Sequence, residues 1–419
     1  MKLQNRRILA ASLCLTLLSL ANLINGRQFA SAAASPVAPN LIAQASDPVV
    51  NAKLIAANTR LSFKLFSQIL KAQPNQNIFI SPTSIAMALS MTYNGAKGET
   101  QQAMAQTLEL QGMSFEELNQ ANAILKATLT NPDPSVQLSI ANSLWARKGE
   151  SFNPKFLQNN QNFYGAQVTE LDFNSPSASD IINNWVKQST SGNITKIVDG
   201  QEITPTTILF LINAIYFKGL WTTQFDKTQT KELPFTLLNG TQKQHPIMFQ
   251  QAEYQYYANQ LFQAVSLPYG EGRLSLYIFL PQKNVSLETF YNSLNAENWE
   301  QWMNQFQPKQ LLVGIPRFRL DYGLELNDAL KSLGMAIAFD ENRADFAEMT
   351  QHSAYISKVK HNTFFEVNEE GSEAGAAASV QIASRSITPH VVVDRPFFCV
   401  IRDNQTQAIL FMGSIVEPE

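Results

Sequence analysis

Hydrophobic and polar positions follow three different patterns along this chain of 419 residues. At the start, Lys2, Arg6 and Arg7 precede an apolar stretch from Ile8 to Ile24, and small residues such as Ala30, Ser31 and Ala32 follow it. Charge, then apolar run, then small residues is the order of a secretory leader. Ser12, Thr16, Ser19 and Asn22 dilute a run already short for a span, which argues against an uncleaved anchor. Bulky Leu13, with little apolar sequence before it, argues against lipid attachment at Cys14. The expected organisation is a signal peptide over 1–33, a flexible Ala/Ser/Pro-rich linker over 34–51 and one domain over 52–419. Ala32, Ala34 and Ala43 all remain open as the cleavage point.

Within that domain the first part has helical period. Leu61, Leu65 and Ile69 form a stripe at four-residue spacing, and Ser81-Pro82 and Gly98-Glu99-Thr100 offer helix starts. Later the period shortens. Ile208 to Phe217 is a nearly continuous apolar run, as expected of a strand buried on both faces. Leu274 to Leu280, Leu311 to Phe318, Thr363 to Val367, Val391 to Val393, Phe397 to Ile401 and Ala408 to Ile415 are further strand candidates. Helices first and strands later predict an α+β domain rather than repeated βαβ units.

Composition narrows the function. A hydrophobic fraction of 45% with 26 Phe supports a large core. A net charge of -3 gives no basis for nucleic-acid binding. Two cysteines, Cys14 and Cys399, and four scattered histidines, His245, His352, His361 and His390, cannot build a zinc cluster or a disulfide framework. No HExxH pair, Walker glycine loop or GxSxG elbow occurs, so no catalytic residue and no metal ligand is assigned.

The segment between Glu369 and Asp394 breaks the core pattern. It begins Glu369, Glu370, Gly371, Ser372, Glu373, Ala374, Gly375, Ala376, Ala377 and Ala378. At period two, Ser372, Ala374, Ala376, Ala378, Val380 and Ile382 share one face, while Glu373 falls on the other, where it can stay hydrated. Gly, Ser and Ala hold a strand position weakly. Such a segment can be loop or strand, which is what a switch requires, and a long connection between two strand candidates near the domain's end points to function. The plainer reading of an Ala/Gly run is a linker or a piece of helix.

Together with that segment, Asn77 to Ala86, Asn213 to Trp221, Leu267-Pro268-Tyr269, Ile315-Pro316-Arg317-Phe318 and Asp394 to Phe398 make the chain resemble a serpin from Ala52 to Glu419. The resemblance implies an α+β serpin fold of about nine helices and three β-sheets with an exposed reactive loop, here 369–393. It implies an inhibitor and not an enzyme. A protease attacks the loop, forms an acyl-enzyme, and is trapped as the cleaved loop inserts into the main sheet. Fourteen residues from Ser372 to Arg385, at about 3.3 Å each, reach roughly 45 Å. New ladder bonds at about 1 kcal/mol each, and burial of Val380 and Ile382 at about 1.5–3 kcal/mol each, could release ten or more kcal/mol.

The family's scissile residue usually lies sixteen positions after the glutamate that opens the hinge, which places the reactive bond at Arg385-Ser386. Ile382, Ala383 and Ser384 then set loop specificity. Arginine there calls for a carboxylate in the protease's primary pocket, so a trypsin-like serine protease is the expected covalent partner. A register slip would put Ser384 or Ser386 at the bond. Non-inhibitory members tend to carry bulky, charged or proline residues in the hinge, and here the inward face is small. Ser81, Ser84, Asn213 and His361 resemble the polar cluster beneath the opening sheet, although a satisfied core histidine is the plain reading of His361. Trp221 matches the tryptophan at the top of that sheet, or is ordinary core. Arg317 is expected to pair with Glu369. The stretch Phe115 to Thr130 has Glu116, Glu117 and only Lys126, so no heparin-type cofactor is expected. The expected molecule is a monomer, secreted, or periplasmic in a Gram-negative-type host. A serpin-fold carrier and a cross-class cysteine protease inhibitor are the alternatives.

Overall fold

Asn51 accepts hydrogen bonds from the N–H groups of Lys53 and Leu54, and from this cap helix α1 (Ala52–Ala72) buries the Leu61, Leu65 and Ile69 stripe. The computed structural model describes residues 50–130, 132–203, 207, 209–372 and 389–419. The expected leader over 1–33, and the expected linker up to residue 49, lie outside the described residues.

Among the described residues eight further α-helices follow. They are α2 (Pro82–Tyr93), α3 (Gly98–Thr107), α4 (Phe115–Leu129), α5 (Pro154–Tyr164), α6 (Ala178–Ser189), α7 (Leu287–Asn292), α8 (Ala296–Met303) and α9 (Asn327–Leu330). The early strands are β1 (Ile78–Ile80), β2 (Val136–Arg147), β3 (Gln167–Leu171), β4 (Leu209–Leu220), β5 (Lys231–Thr236), β6 (Gln242–Ala258), β7 (Phe262–Tyr269) and β8 (Leu274–Pro281). The later ones are β9 (Gln307–Pro316), β10 (Phe318–Glu325), β11 (Val359–Val367), β12 (Gly371–Ser372), β13 (His390–Val392), β14 (Phe397–Asp403) and β15 (Ile409–Ile415).

One sheet has the order β10-β11-β4-β2-β3, with β12 added to β4. The other strands form a nine-stranded sheet, β1-β15-β14-β8-β7-β6-β9-β13, with β5 on β6. The three expected sheets are therefore hydrogen-bonded into two. Strand β6 is long enough to pair with β5 and β9 over its first part and with β7 over its last, which joins two of them. The apolar run from Leu311 to Phe318 is two strands and not one. Pro316 ends β9, the Arg317 N–H donates to the Pro246 carbonyl at 3.0 Å, and Phe318 begins β10 opposite Val367 in the other sheet.

At its centre, strand β4 of this sheet is covered on both faces. Leu211, Ile215 and Phe217 of β4 face the large core shared with α1 and α2. Phe210, Ile212, Ala214 and Tyr216 face a second core, closed by Ile182 and Val186 of α6. This double covering explains the unbroken apolar run of β4. The two sheets meet at Phe79 of β1, whose ring stacks on Phe365 of β11 at 4.5 Å and on Phe411 of β15 at 5.3 Å. Cys399 is buried and unpaired, and burial pushes its thiol pKa up, so it is a core side chain rather than a nucleophile.

Replacing Phe79 by Ala removes both stacks and opens a cavity between the sheets. The expected cost is about 3–5 kcal/mol in urea unfolding. A loss below about 1 kcal/mol would show that this ring does not couple the sheets.

Candidate functional site

Strands β4 and β11 lie side by side and parallel, with Leu211 to Tyr216 paired to Val359 to Phe364. Beyond Phe364 they separate, and the mouth between them receives the start of the hinge. β11 stops at Val367 and the chain reverses at Asn368. The Asn368 side-chain oxygen accepts from the N–H groups of Glu370 at 3.0 Å and Gly371 at 3.2 Å. Its own N–H donates to the Gly371 carbonyl at 2.9 Å. An Asx residue closing a turn on itself is favoured chemistry for such a reversal. β12 then descends antiparallel to β4, with Gly371 beside Leu220 and Ser372 beside Gly219.

Each hinge residue within the structure has a defined anchor. Glu369 is buried; its carboxylate accepts from the Thr230 hydroxyl at 2.7 Å and lies 3.6 Å from Arg317, the expected pair. The Glu370 carboxylate, also buried, is bridged to Lys227. The carbonyls of Glu369 and Glu370 accept from the N–H groups of Phe225 and Trp221 at 2.8 and 3.0 Å. Gly371 has φ +150°, and a β-carbon there would meet the Gly219 carbonyl oxygen at 2.1 Å, so no other residue fits. Ser372 points to the large-core side, as its period-two face predicts, and its hydroxyl lies 3.0 Å from the Tyr269 hydroxyl. Tyr269 stacks on Trp221 at 4.4 Å, and the Trp221 indole donates to the Asn368 carbonyl at 2.8 Å. Burial pushes the Tyr269 phenol pKa up, which keeps it a neutral hydrogen-bonding partner.

The start of the expected exposed loop is thus part of the fold. Glu369 to Ser372 are buried in the mouth, and at the other end His390–Val392 pairs with β9. The remaining hinge residues Glu373, Ala374, Gly375, Ala376, Ala377 and Ala378, the specificity residues Ile382, Ala383 and Ser384, and the bond Arg385-Ser386 lie outside the described residues.

Lower in the seam, polar side chains bridge the two strands and α2. The Ser84 hydroxyl donates to Asn213 Oδ1 at 2.6 Å, and Asn213 Nδ2 donates to Asn142 Oδ1 at 2.8 Å. His361 is the seam partner of Asn213, and its Nε2 accepts the Ser81 N–H at 3.0 Å. Ser81 therefore acts through its backbone, because its hydroxyl has no partner among the described residues. His361 is a half-satisfied core histidine rather than a fully satisfied one, since Nδ1 also has none. Burial lowers its pKa to about 3, so the ring is neutral. Sequence reasoning missed Asn142, Asn368, Lys227, Thr230 and Tyr269 as members of this site. A polar Asn142 inside an apolar strand run was the one usable signal.

Two outcomes follow from this geometry. Unfolded histidine takes up a proton near pH 6.5, whereas His361 does so only near 3, so stability is full above that window and falls as pH drops through it. His361→Gln is expected to remove this one-proton slope from urea unfolding measured between about pH 7 and 4.5. An unchanged slope would assign it to other groups. Gly371→Ala is expected to unseat β12 and red-shift the emission of Trp221. An unaltered spectrum, after the other tryptophans are replaced by Phe, would contradict the seat.

Comparison with known proteins agrees with this architecture. The family described as Serpin (serine protease inhibitor) matches residues 56–418. Serpin B8 of Homo sapiens is 36% identical over 374 residues, covering 87% of this chain and 99% of that protein. The thermophilic serpin tengpin in its native state superposes with a TM-score of 0.82 at 31% identity, covering 89% of this chain and 96% of the other. Native protease nexin-1 with heparin gives a TM-score of 0.78 at 30% identity, covering 87% and 99%. The chain belongs to the serpin family of serine protease inhibitors.

Proposed function

We propose that the protein is an exported, suicide-type inhibitor of trypsin-like serine endopeptidases. The protease serine attacks the Arg385 carbonyl, the amine of Ser386 leaves, and the acyl-enzyme stays attached to the segment that follows Ser372. That segment then enters between β4 and β11 as a new strand.

The observation that carries this reading is β12. Its two residues already sit antiparallel on β4 at the mouth of the seam, with Gly371 beside Leu220 and Ser372 beside Gly219. Continued in the same register, Ala374, Ala376 and Ala378 would lie beside Phe217, Ile215 and Asn213, on the large-core face where only small side chains enter easily. Glu373 would lie beside Lys218 on the opposite face. Parallel strands paired directly are slightly weaker per residue than antiparallel ones. A strand entering antiparallel to both β4 and β11 replaces one parallel ladder by two antiparallel ones, and this supports insertion as the downhill direction.

The trypsin-like preference rests on Arg385. Export rests on the leader over 1–33 and linker over 34–51, with an extracellular or periplasmic destination. The molecule acts as a monomer and without a heparin-type cofactor, unlike the heparin-bound relative. On α4 the one cation, Lys126, donates to the Tyr164 carbonyl, and burial lowers its pKa. Glu116 and Glu117 on the first turn would repel a sulfated chain. A non-inhibitory carrier is disfavoured by the small hinge.

Incubation with trypsin is expected to give a complex that survives a denaturing gel, with Ser386 as the new N-terminus of the released peptide. Cleavage without a complex would favour the carrier, and a different N-terminus would move the reactive bond. Replacing Ala374 and Ala376 together by Pro, which denies the entering strand its N–H donors, is expected to convert the inhibitor into a substrate. A stable complex from that double variant would overturn the insertion step.

A further inference from the structure

Between α6 and β4 the chain crosses the lower end of the seam. Asn183 of α6 holds this crossing: its Oδ1 accepts from the N–H groups of Ile197 and Val198 at 2.8 and 3.0 Å, and its Nδ2 donates to the Val198 carbonyl at 2.8 Å. Next, Asp199 and Glu202 form a capping box around a short 3-10 turn, Gly200–Glu202, in which Glu202 Oε2 accepts the Asp199 N–H at 3.0 Å. The other carboxylate oxygen of Glu202 accepts from Lys358 at 3.2 Å and from Lys360 as well. Asn362 adds a longer contact, 3.4 Å, to the Lys196 carbonyl.

Lys360 and Asn362 belong to β11, and Lys358 immediately precedes it. Glu202 is tethered through the chain to α6 on one side and β4 on the other. One carboxylate therefore ties the connection that leads from α6 towards β4 to the base of β11. Its side chain is 18% exposed and that of Lys360 19%, so the bridge is shielded more than an ordinary surface pair. Burial alone would raise the Glu202 pKa, but hydrogen bonds from Lys360, the Asp199 N–H and Lys358 hold it below the usual carboxylate range. Glu325 lies 3.6 Å from Lys358, and Lys196 is paired with Asp199 at 2.7 Å, which completes the charges at this end.

We propose that the Glu202 bridge to Lys358 and Lys360 is an electrostatic strap across the lower end of the seam, and that its release limits completion of strand insertion. The proposal rests on the insertion reading above. A new strand displaces β11 from β4 by one strand spacing, about 4.8 Å. A hydrogen-bonded ion pair cannot span that added distance unless the crossing segment moves with β11. Residues entering from the mouth meet the strap last, so it acts on completion and not on the first contacts.

The test separates the strap from insertion itself. A synthetic peptide with the sequence of residues 372–385 is incubated with the full chain, and annealing is followed as a rise in thermal stability. Wild type is expected to anneal faster as salt is raised towards about 1 M, because the bridge is screened. Glu202→Gln keeps the acceptor of the capping box and removes the charge. It is expected to anneal roughly threefold to tenfold faster at low salt and to lose most of the salt dependence. The double variant Lys358→Gln with Lys360→Gln should behave alike, and serves if the first variant does not fold. Lys53→Gln, which breaks an exposed pair elsewhere, should match wild type. Annealing with equal rates in wild type and both strap variants overturns the strap alone. No annealing in any of them overturns the insertion reading and the strap with it.

Discussion

The parallel pairing of β4 with β11 is the joint on which the rest of the molecule depends. Six residue pairs hold it, from Leu211 with Val359 to Tyr216 with Phe364. Neighbouring strands bond antiparallel on both outer sides, β10 on β11 and β2 on β4. The seam is thus the one central place in this sheet where two parallel strands of distant sequence meet, and its far end is already parted by Gly371 and Ser372. A ladder of this kind can be replaced by a better one if a strand of opposite direction becomes available. On the proposed insertion, the segment that follows Ser372, in covalent continuity with β11, would supply it.

Around that joint, the proposed insertion divides the fold into what stays fixed and what would yield. The large core behind β4, with Phe79 stacked between Phe365 and Phe411, anchors the sheet to the rest of the molecule. On the opposite face α6 closes a smaller core on Phe210, Ile212, Ala214, Tyr216 and Phe364, which lie on both sides of the seam. Polar groups sit where apolar packing would lock the strands. Ser84, Asn213 and Asn142 are joined by hydrogen bonds in the centre, His361 accepts the Ser81 N–H beside them, and carboxylates mark both ends, Glu369 and Glu370 at the mouth and Glu202 at the base. Such contacts are directional and lose their value over a small displacement, so they suit a joint that holds and then lets go.

Much of this was legible in the sequence, for physical reasons. The unbroken apolar run of β4 follows from covering on both faces, and the alternation that starts at Ser372 places its side chain on the core side, where the structure has it. Small residues in the hinge read as a segment able to be loop or strand, and its part beyond Ser372 lies outside the described residues. Other features were not legible. Nothing in the run Leu311 to Phe318 signals a change of sheet at Arg317, because both strands are apolar and the break is set by tertiary pairing to Pro246. The Arg317 partner of Glu369 was expected, but the burial of Glu369 and Glu370 was hidden because two adjacent acids read as a solvated loop, and their other partners, Thr230 and Lys227, come from distant parts of the chain. Asn368 was overlooked for a simpler reason: its role is a turn made with its own neighbours, and it precedes the motif that drew notice.

Insertion is downhill only if the native sheet is the less stable arrangement. The direct measurement is thermal unfolding of the intact chain against the same chain nicked within residues 373–388 by limited treatment with a metalloprotease, which forms no acyl-enzyme and is then removed. Insertion of the freed strand predicts a midpoint raised by at least about 10 °C, the shift expected of roughly ten kcal/mol in a domain of this size. A nicked chain that melts at the same temperature as the intact one, or below it, would contradict the claim that the seam is waiting for its missing strand.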